Sequence, residues 1–133
     1  MGNKIYSVGY SRWKDLRSFI ECLKTLGIKA LVDVRRFPIS KNLSFKMEDL
    51  RKKLEKNGIR YICLSNSLGG FRKGGYKKHM ETKEYKEGIR KLIEASNEGP
   101  VAMMCLESKS KYCHRRFITQ TLSDLGVEVT LLE

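Results

Sequence analysis

The sequence lacks the features of membrane and secreted proteins. No apolar run approaches the roughly 18 residues that a membrane span requires, although 41% of the 133 residues are hydrophobic. The N-terminus, Met1-Gly-Asn-Lys-Ile5, has no apolar centre of the kind that marks a secretory signal. We therefore expect a cytoplasmic protein with no membrane partner.

Cysteines are few and lack the spacing of common metal motifs. In the cytoplasm all four would stay reduced, and Cys22 and Cys63 are predicted to be small buried hydrophobes. No C-x₂₋₄-C pair is present, and Cys113 and His114, as adjacent residues of a predicted helix, would diverge by about 100°. We therefore expect no metal and no cofactor, while a metal-binding or thiol redox domain remains an alternative.

Acidic residues are scarce relative to basic ones. The chain has 27 Lys and Arg residues against 15 Asp and Glu residues, which gives a net charge of +12. The balanced Lys/Glu surface of a heat-adapted protein would not produce this excess. It favours a phosphate-bearing partner, either an anionic small molecule or a nucleic acid.

The glycine-rich segments do not match the nucleotide-binding fingerprints. Gly9 stands alone rather than in G-x-G-x-x-G, so it either lets a ligand approach the backbone or simply forms a turn. The segment 68–78 does not match G-x-x-x-x-G-K-[ST] and is interpreted as a basic flap. In a nucleic-acid-binding module Phe71 and Tyr76 would stack on bases, and four flap cations would contact the backbone: Arg72, Lys73, Lys77 and Lys78.

Strand and helix patterns alternate along the chain. Predicted strands are Ile5–Val8, Ala30–Val34, Arg60–Leu64, Val101–Met104 and Val127–Leu132, and helical spacing links them at about 13–26, 45–57, 82–98 and 113–125. Ser11, Ser44 and Thr82 are the predicted N-caps, and 65–78 is the least regular region. The alternation predicts a single α/β domain over 1–133, a Rossmann-like three-layer sandwich with a mostly parallel five-stranded sheet. We expect the first strand to be central, beside the second and fourth.

The segment 101–116 concentrates chemistry-bearing side chains. Cys105 and Glu107 follow the fourth strand, and Cys113, His114 and Arg115 fall at the predicted start of the last helix. Ligands of open α/β sheets bind at the carboxyl ends of strands, and helix N-termini favour anions. These five residues are therefore candidates for one site.

Cys105 and Glu107 are the candidate catalytic residues. Cys105 is either a nucleophile or a bystander beside Glu107, which would act as general acid or base. Cys113, His114 and Arg115 are candidates for binding substrate, with Arg115 holding a phosphate or carboxylate bidentately. Alternatively, His114 caps the helix and Arg115 pairs with Glu107.

Asp33 and Arg35 are two residues apart on a predicted strand, so they point to the same face. A buried Asp33 requires a partner. Either Arg35 pairs with Asp33 and holds the loop, or Arg35 turns towards a substrate anion.

Several of these segments together resemble one protein family. The chain resembles Domain of Unknown Function 488 over nearly its whole length, through Ile5–Ser11, Leu31–Arg35 with Pro38 and Ser40, Tyr61 before Leu68–Gly70, and Cys105-Leu-Glu107 with Cys113-His-Arg115. Tyr10 replaces the usual histidine of the family. The resemblance implies a small α/β domain with these motifs at one site, and it implies no reaction.

These observations favour an enzyme with an anion-binding site. Its substrate would be a phosphorylated small molecule, a nucleotide or a nucleic acid, held by Arg35 and Arg115 beside Asp33 and Gly9. The alternative is a non-catalytic basic module that binds nucleic acid.

Overall fold

The computed structural model describes residues 3–36, 46–70, 72–105 and 113–132, and it contains a five-stranded parallel sheet. The strands are β1 (Ile5–Gly9), β2 (Ala30–Asp33), β3 (Arg60–Cys63), β4 (Val101–Cys105) and β5 (Val129–Leu132). Their order across the sheet is β3-β2-β4-β1-β5, and every neighbouring pair is parallel. The α/β class and the Rossmann-like layering predicted from the sequence are confirmed.

The described ranges contain six α-helices, which lie on the two faces of the sheet. They are α1 (Leu16–Thr25), α2 (Met47–Lys56), α3 (Ser65–Leu68), α4 (Tyr76–His79), α5 (Lys83–Asn97) and α6 (Arg115–Asp124), and Tyr10–Arg12 form a 3₁₀ turn. Buried residues of α1 and α2, such as Phe19 and Leu50, share one core with Leu31. Leu92 of α5 and Ile118 of α6 share the other core with Val32. The sheet is therefore buried on both faces, as parallel sheets usually are.

The predicted strand order was wrong in its centre. β4 is the central strand, with β2 on one side and β1 on the other, and β1 pairs with β4 and β5 rather than with β2. Apolar periodicity identifies strands but does not say which strands pair.

Three local predictions were also wrong. Asp15, not Ser11, caps α1, because its carboxylate accepts a hydrogen bond from the Ser18 N–H at 2.8 Å. The region 65–78 contains the short helices α3 and α4. Cys63 is exposed because it lies on the edge strand β3.

The cap of α5 was predicted correctly, since the Thr82 hydroxyl accepts from the Tyr85 N–H at 3.1 Å. Ser44, Pro38 and Ser40 lie outside the described residues. Within the described part of the chain, no helix has both the length and the apolar character needed to cross a bilayer.

The topology has a switch point at the carboxyl end of β4. The helix after β4 packs on one face of the sheet, whereas the helices after β1 and β2 pack on the other. Strands whose following helices diverge in this way leave a gap between them, and open α/β folds bind ligands there. Cys105 is the last residue of β4 and stands at this switch point.

Candidate functional site

Three strand ends meet at the carboxyl edge of the sheet. Gly9 of β1 lies in register with Cys105 of β4, and Asp33 of β2 lies in register with Met104. The Val34 N–H donates to the Met104 carbonyl oxygen at 3.1 Å, which continues the pairing past the end of β2. The predicted convergence of these strand-end motifs is therefore seen for the residues that the structure describes.

Asp33 and Arg35 form a buried ion pair. The Arg35 Nε donates to Asp33 Oδ1 at 2.9 Å, its Nη2 donates to Oδ2 at 2.7 Å, and its backbone N–H donates to Oδ1 at 3.1 Å. Asp33 is 0% exposed and Arg35 is 4% exposed. The pairing that holds the loop, one of the two interpretations of these residues, is thus the one observed.

Tyr61 of the neighbouring strand completes this buried network. Its hydroxyl donates to Asp33 Oδ2 at 2.6 Å. Burial raises the pKa of Tyr61 well above its ordinary value, and the nearby Asp33 carboxylate raises it further. The phenol therefore stays protonated and acts as a permanent hydrogen-bond donor to Asp33.

Cys105, Cys113 and His114 come together next to this network and are called here the thiol–imidazole centre. One ligand atom from each of the three side chains lies within 4.8 Å of the others. Cys113 Sγ lies 3.5 Å from His114 Nδ1. The divergence expected for Cys113 and His114 does not apply, because α6 begins only at Arg115 and both residues precede it.

The orientation of the His114 ring is set by β2. Nε2 lies 2.7 Å from the Val34 carbonyl oxygen. A carbonyl can only accept, so Nε2 carries the hydrogen and donates it to Val34. In the neutral ring Nδ1 then presents its lone pair towards Cys113.

The surroundings of Cys113 favour its thiolate. A hydrogen bond with the Cys105 side chain lowers the pKa of the Cys113 thiol most strongly. In its charged form His114 also carries a hydrogen on Nδ1, and its hydrogen bond and charge then lower this pKa further, as does the Arg115 backbone N–H, while burial opposes them. The net pKa is well below that of an ordinary cysteine.

Gly70 allows His114 to sit where it does. A Cβ at position 70 would lie 3.0 Å from His114 Nδ1 and 3.3 Å from its Cγ. The Gly-Gly segment predicted as part of a flap therefore contributes a close approach to the centre, a role that its composition did not reveal.

Arg115 is buried inside the fold. It is 0% exposed, and its Nη1 donates to the Ser7 hydroxyl of β1 at 2.8 Å. Anion binding by Arg35 and Arg115 remains a prediction, but the structure gives both guanidinium groups contacts within the protein. Glu107, the predicted acid or base, lies outside the described residues.

The predicted basic flap separates into two parts. Arg72 holds the chain internally, with its Nε donating to the Gly69 carbonyl at 2.8 Å, whereas Lys73, Lys77 and Lys78 are exposed. The Tyr76 hydroxyl donates to the Leu68 carbonyl at 2.7 Å, so Tyr76 packs inward. Phe71 lies outside the described residues.

An open groove borders the centre, and sequence reasoning missed it. We call it the Phe117 groove; its volume is about 540 Å³, and it is lined by Lys77, Met80, Arg116, Phe117 and Gln120. Tyr76 connects it to the centre, because its ring centroid lies 5.5 Å from those of both Phe117 and His114. In the sequence Phe117 is one of the apolar residues of the last helix, and nothing in that pattern indicates a place at this surface.

Comparison with models of protein families gives a match over most of the chain. A family model described as "Domain of unknown function DUF488" matches residues 15–122. This range includes the Asp33–Arg35 pair and the thiol–imidazole centre. A search of curated proteins found no match.

Proposed function

The chain belongs to the DUF488 family, a domain of unknown function, and we propose that it is a cytoplasmic enzyme acting on a nucleotide or nucleic acid. The substrate is held on the Phe117 groove and reacts at the thiol–imidazole centre. The observation that carries this proposal is the meeting of two thiols and an imidazole within 4.8 Å at the switch point of the sheet.

The centre has the composition of a reactive site. Two sulfur atoms and an imidazole nitrogen face one another, and the imidazole is oriented by a third group, the Val34 carbonyl. Activated nucleophiles and metal sites share this arrangement of a reactive group, a neighbouring base and an orienting partner.

The Phe117 groove has the composition of a base-binding surface. Met80 and Phe117 supply apolar and aromatic contact area, and Lys77 and Arg116 supply positive charge, with the Arg116 guanidinium carbon 4.4 Å from the centre of the Phe117 ring. The described lining residues include no carboxylate, in contrast to the groove beside Cys63, which contains Glu84 and Glu87. Aromatic contact combined with cations is how sequence-tolerant proteins hold single-stranded nucleic acid.

Within this proposal the predicted catalytic residues keep their roles. Cys105 is part of the reacting centre, and Glu107, two residues further along the sequence, serves as the general acid or base. Arg35 and Asp33 act by holding the end of β2, which carries the Val34 carbonyl that orients His114.

We expect Lys77→Gln and Arg116→Gln each to weaken binding of a short fluorescein-labelled single-stranded RNA several-fold, measured by fluorescence anisotropy. Each lost phosphate contact should also reduce the slope of log K against log salt by about 0.7. Phe117→Leu should cost about 1 kcal/mol of binding free energy without changing that slope, because it removes aromatic contact rather than charge.

The matched control is Lys53→Gln. Lys53 is an exposed residue of α2, which packs on the opposite face of the sheet from α6. Lys53→Gln removes one positive charge, as Lys77→Gln does. If Lys53→Gln weakened binding as much as Lys77→Gln, the groove would not be the binding site.

Turnover separates the enzyme from its alternative, a non-catalytic nucleic-acid-binding module. The RNA and a panel of nucleoside phosphates are incubated with the protein, and products are detected by mass spectrometry. We expect Cys113→Ser and His114→Gln to lower product formation at least tenfold while RNA binding is retained. Binding without any product from the unsubstituted chain would instead support the binding module, which the basic groove and the net charge of +12 favour.

A further inference from the structure

We propose that the thiol–imidazole centre binds one zinc-like divalent metal ion, with Cys105, Cys113 and His114 as its three protein ligands. The inference goes beyond the proposed function, because it requires no substrate. It rests on the separation of the ligand atoms, on the orientation of His114 and on the chemical nature of the three donors.

The separations approach those of a tetrahedral zinc site. With Zn–S near 2.3 Å and Zn–N near 2.0–2.1 Å, tetrahedral angles place a sulfur and a nitrogen ligand about 3.6 Å apart and two sulfurs about 3.8 Å apart. The observed distance from Cys113 Sγ to His114 Nδ1 is 3.5 Å. All three ligand atoms lie within 4.8 Å, so no pair has to close by more than roughly 1 Å.

His114 has the outer contact that metal-binding histidines usually have. Its Nε2–H donates to the Val34 carbonyl at 2.7 Å, which leaves the Nδ1 lone pair facing the sulfurs. Outer partners of this kind fix the tautomer and the ring direction of a ligating histidine. The ring is therefore held ready for a metal on the side where Cys113 lies.

The donor set selects the class of metal. Two cysteine sulfurs and an imidazole suit zinc and similar borderline-soft ions, whereas magnesium and calcium prefer oxygen ligands. Structural zinc sites usually have four protein ligands, and catalytic sites have three with a fourth position open. The three ligands found among the described residues fit the second kind.

The test is titration of the chelator-treated, reduced protein with Co²⁺, which reports sulfur ligands through a charge-transfer band in the near ultraviolet. We expect one Co²⁺ to bind per chain. Added Zn²⁺ should displace it and abolish the charge-transfer band. Cys113→Ser and His114→Gln should lose more affinity than the roughly 10–100-fold that loss of an outer partner costs. Cys63→Ser is the control, because Cys63 is exposed on the edge strand.

The proposal is overturned if the unsubstituted chain shows no charge-transfer band, if Cys113→Ser keeps the band, or if Cys63→Ser loses it equally. Circular dichroism checks that each variant is folded. If Cys113→Ser does not fold, the result for His114→Gln decides whether the proposal holds. The titration contains no nucleic acid. A chain that binds Co²⁺ but neither binds RNA nor converts any nucleoside phosphate of the panel would therefore refute the proposed function and leave the metal site standing.

Discussion

Replacing Asp33 with alanine is expected to destabilise the protein by about 3–5 kcal/mol, because it leaves a buried guanidinium without its carboxylate. Arg35 is 4% exposed and directs two side-chain N–H groups and its backbone N–H at Asp33. The Tyr61 hydroxyl would lose its acceptor as well. Urea denaturation followed through Trp13, the single tryptophan of the chain, measures the change.

A double variant separates the loss of the ion pair from the loss of packing. In Asp33→Ala with Arg35→Met both charges are absent, and buried ion pairs replaced by apolar residues are often neutral or stabilising. We expect the double variant to recover most of the stability that Asp33→Ala loses. A double variant as unstable as the single one would mean that Asp33 acts mainly as the acceptor for the Tyr61 hydroxyl and the backbone N–H of residue 35, and not as the partner of the guanidinium.

The ion pair also links the stability of the fold to the geometry of the site. Asp33 and Arg35 flank Val34, whose N–H pairs with Met104 and whose carbonyl accepts from His114. The network therefore holds the one backbone atom that orients the imidazole. Loosening it should disturb the centre even in molecules that remain folded.

The Asp33–Arg35 pair could be predicted from the sequence because its geometry is local. Residues two apart on a strand share a face, and a buried carboxylate requires a cation or donors. The class of fold was predictable for a similar reason, since each strand and helix has its own apolar period. Both predictions depend only on residues that are close together along the chain.

The strand order depends on distant residues, and there the prediction failed. One signal was available: Val101–Met104 contains no polar residue, whereas β1 contains Tyr6 and Ser7. A strand that is apolar on both faces suits the centre of a sheet better than one with polar residues. β4, at the centre, indeed has all four of these residues fully buried.

The thiol–imidazole centre could be predicted only in part from the sequence. The sequence placed Cys105, Cys113 and His114 at one site, but it argued against Cys113 and His114 sharing a metal, because the helix was predicted to begin two residues too early. Phe117 was missed because it belongs to the same helical run of apolar residues as Ile118, Leu122 and Leu125. Such a run does not separate buried positions from exposed ones: Ile118 and Leu122 are buried, whereas Leu125 is 60% exposed.

Gly70→Ala should impair the centre while leaving the fold largely intact. The added methyl would stand 3.0 Å from His114 Nδ1, the atom proposed to bind metal, and 3.6 Å from His114 Cβ. The ring cannot turn away freely, because Nε2 is held by the Val34 carbonyl. We expect Co²⁺ affinity to fall by roughly 10–100-fold, as when an outer partner of a ligand is lost.

The neighbouring glycine provides a sharp contrast. A Cβ at Gly69 would lie 2.4 Å from the Ser65 carbonyl oxygen and 2.5 Å from Arg36 Cα, both backbone atoms that cannot move aside cheaply. Gly69→Ala should therefore lower the free energy of unfolding, by about 1–3 kcal/mol as for other overpacked sites. Gly70→Ala should change it by less than about 1 kcal/mol, because only a side chain has to shift and alanine reduces the entropy of the unfolded chain.

Measuring Co²⁺ affinity and urea stability for both variants distinguishes the two roles. Equal losses of stability would mean that both glycines serve backbone packing and that His114 has no special dependence on position 70. Unchanged Co²⁺ affinity in Gly70→Ala would mean that Nδ1 does not face the metal. If Gly70→Ala loses Co²⁺ affinity while its free energy of unfolding stays nearly unchanged, then the two glycines have different roles. Gly69 permits the backbone to pack, and Gly70 leaves room for the imidazole at the metal.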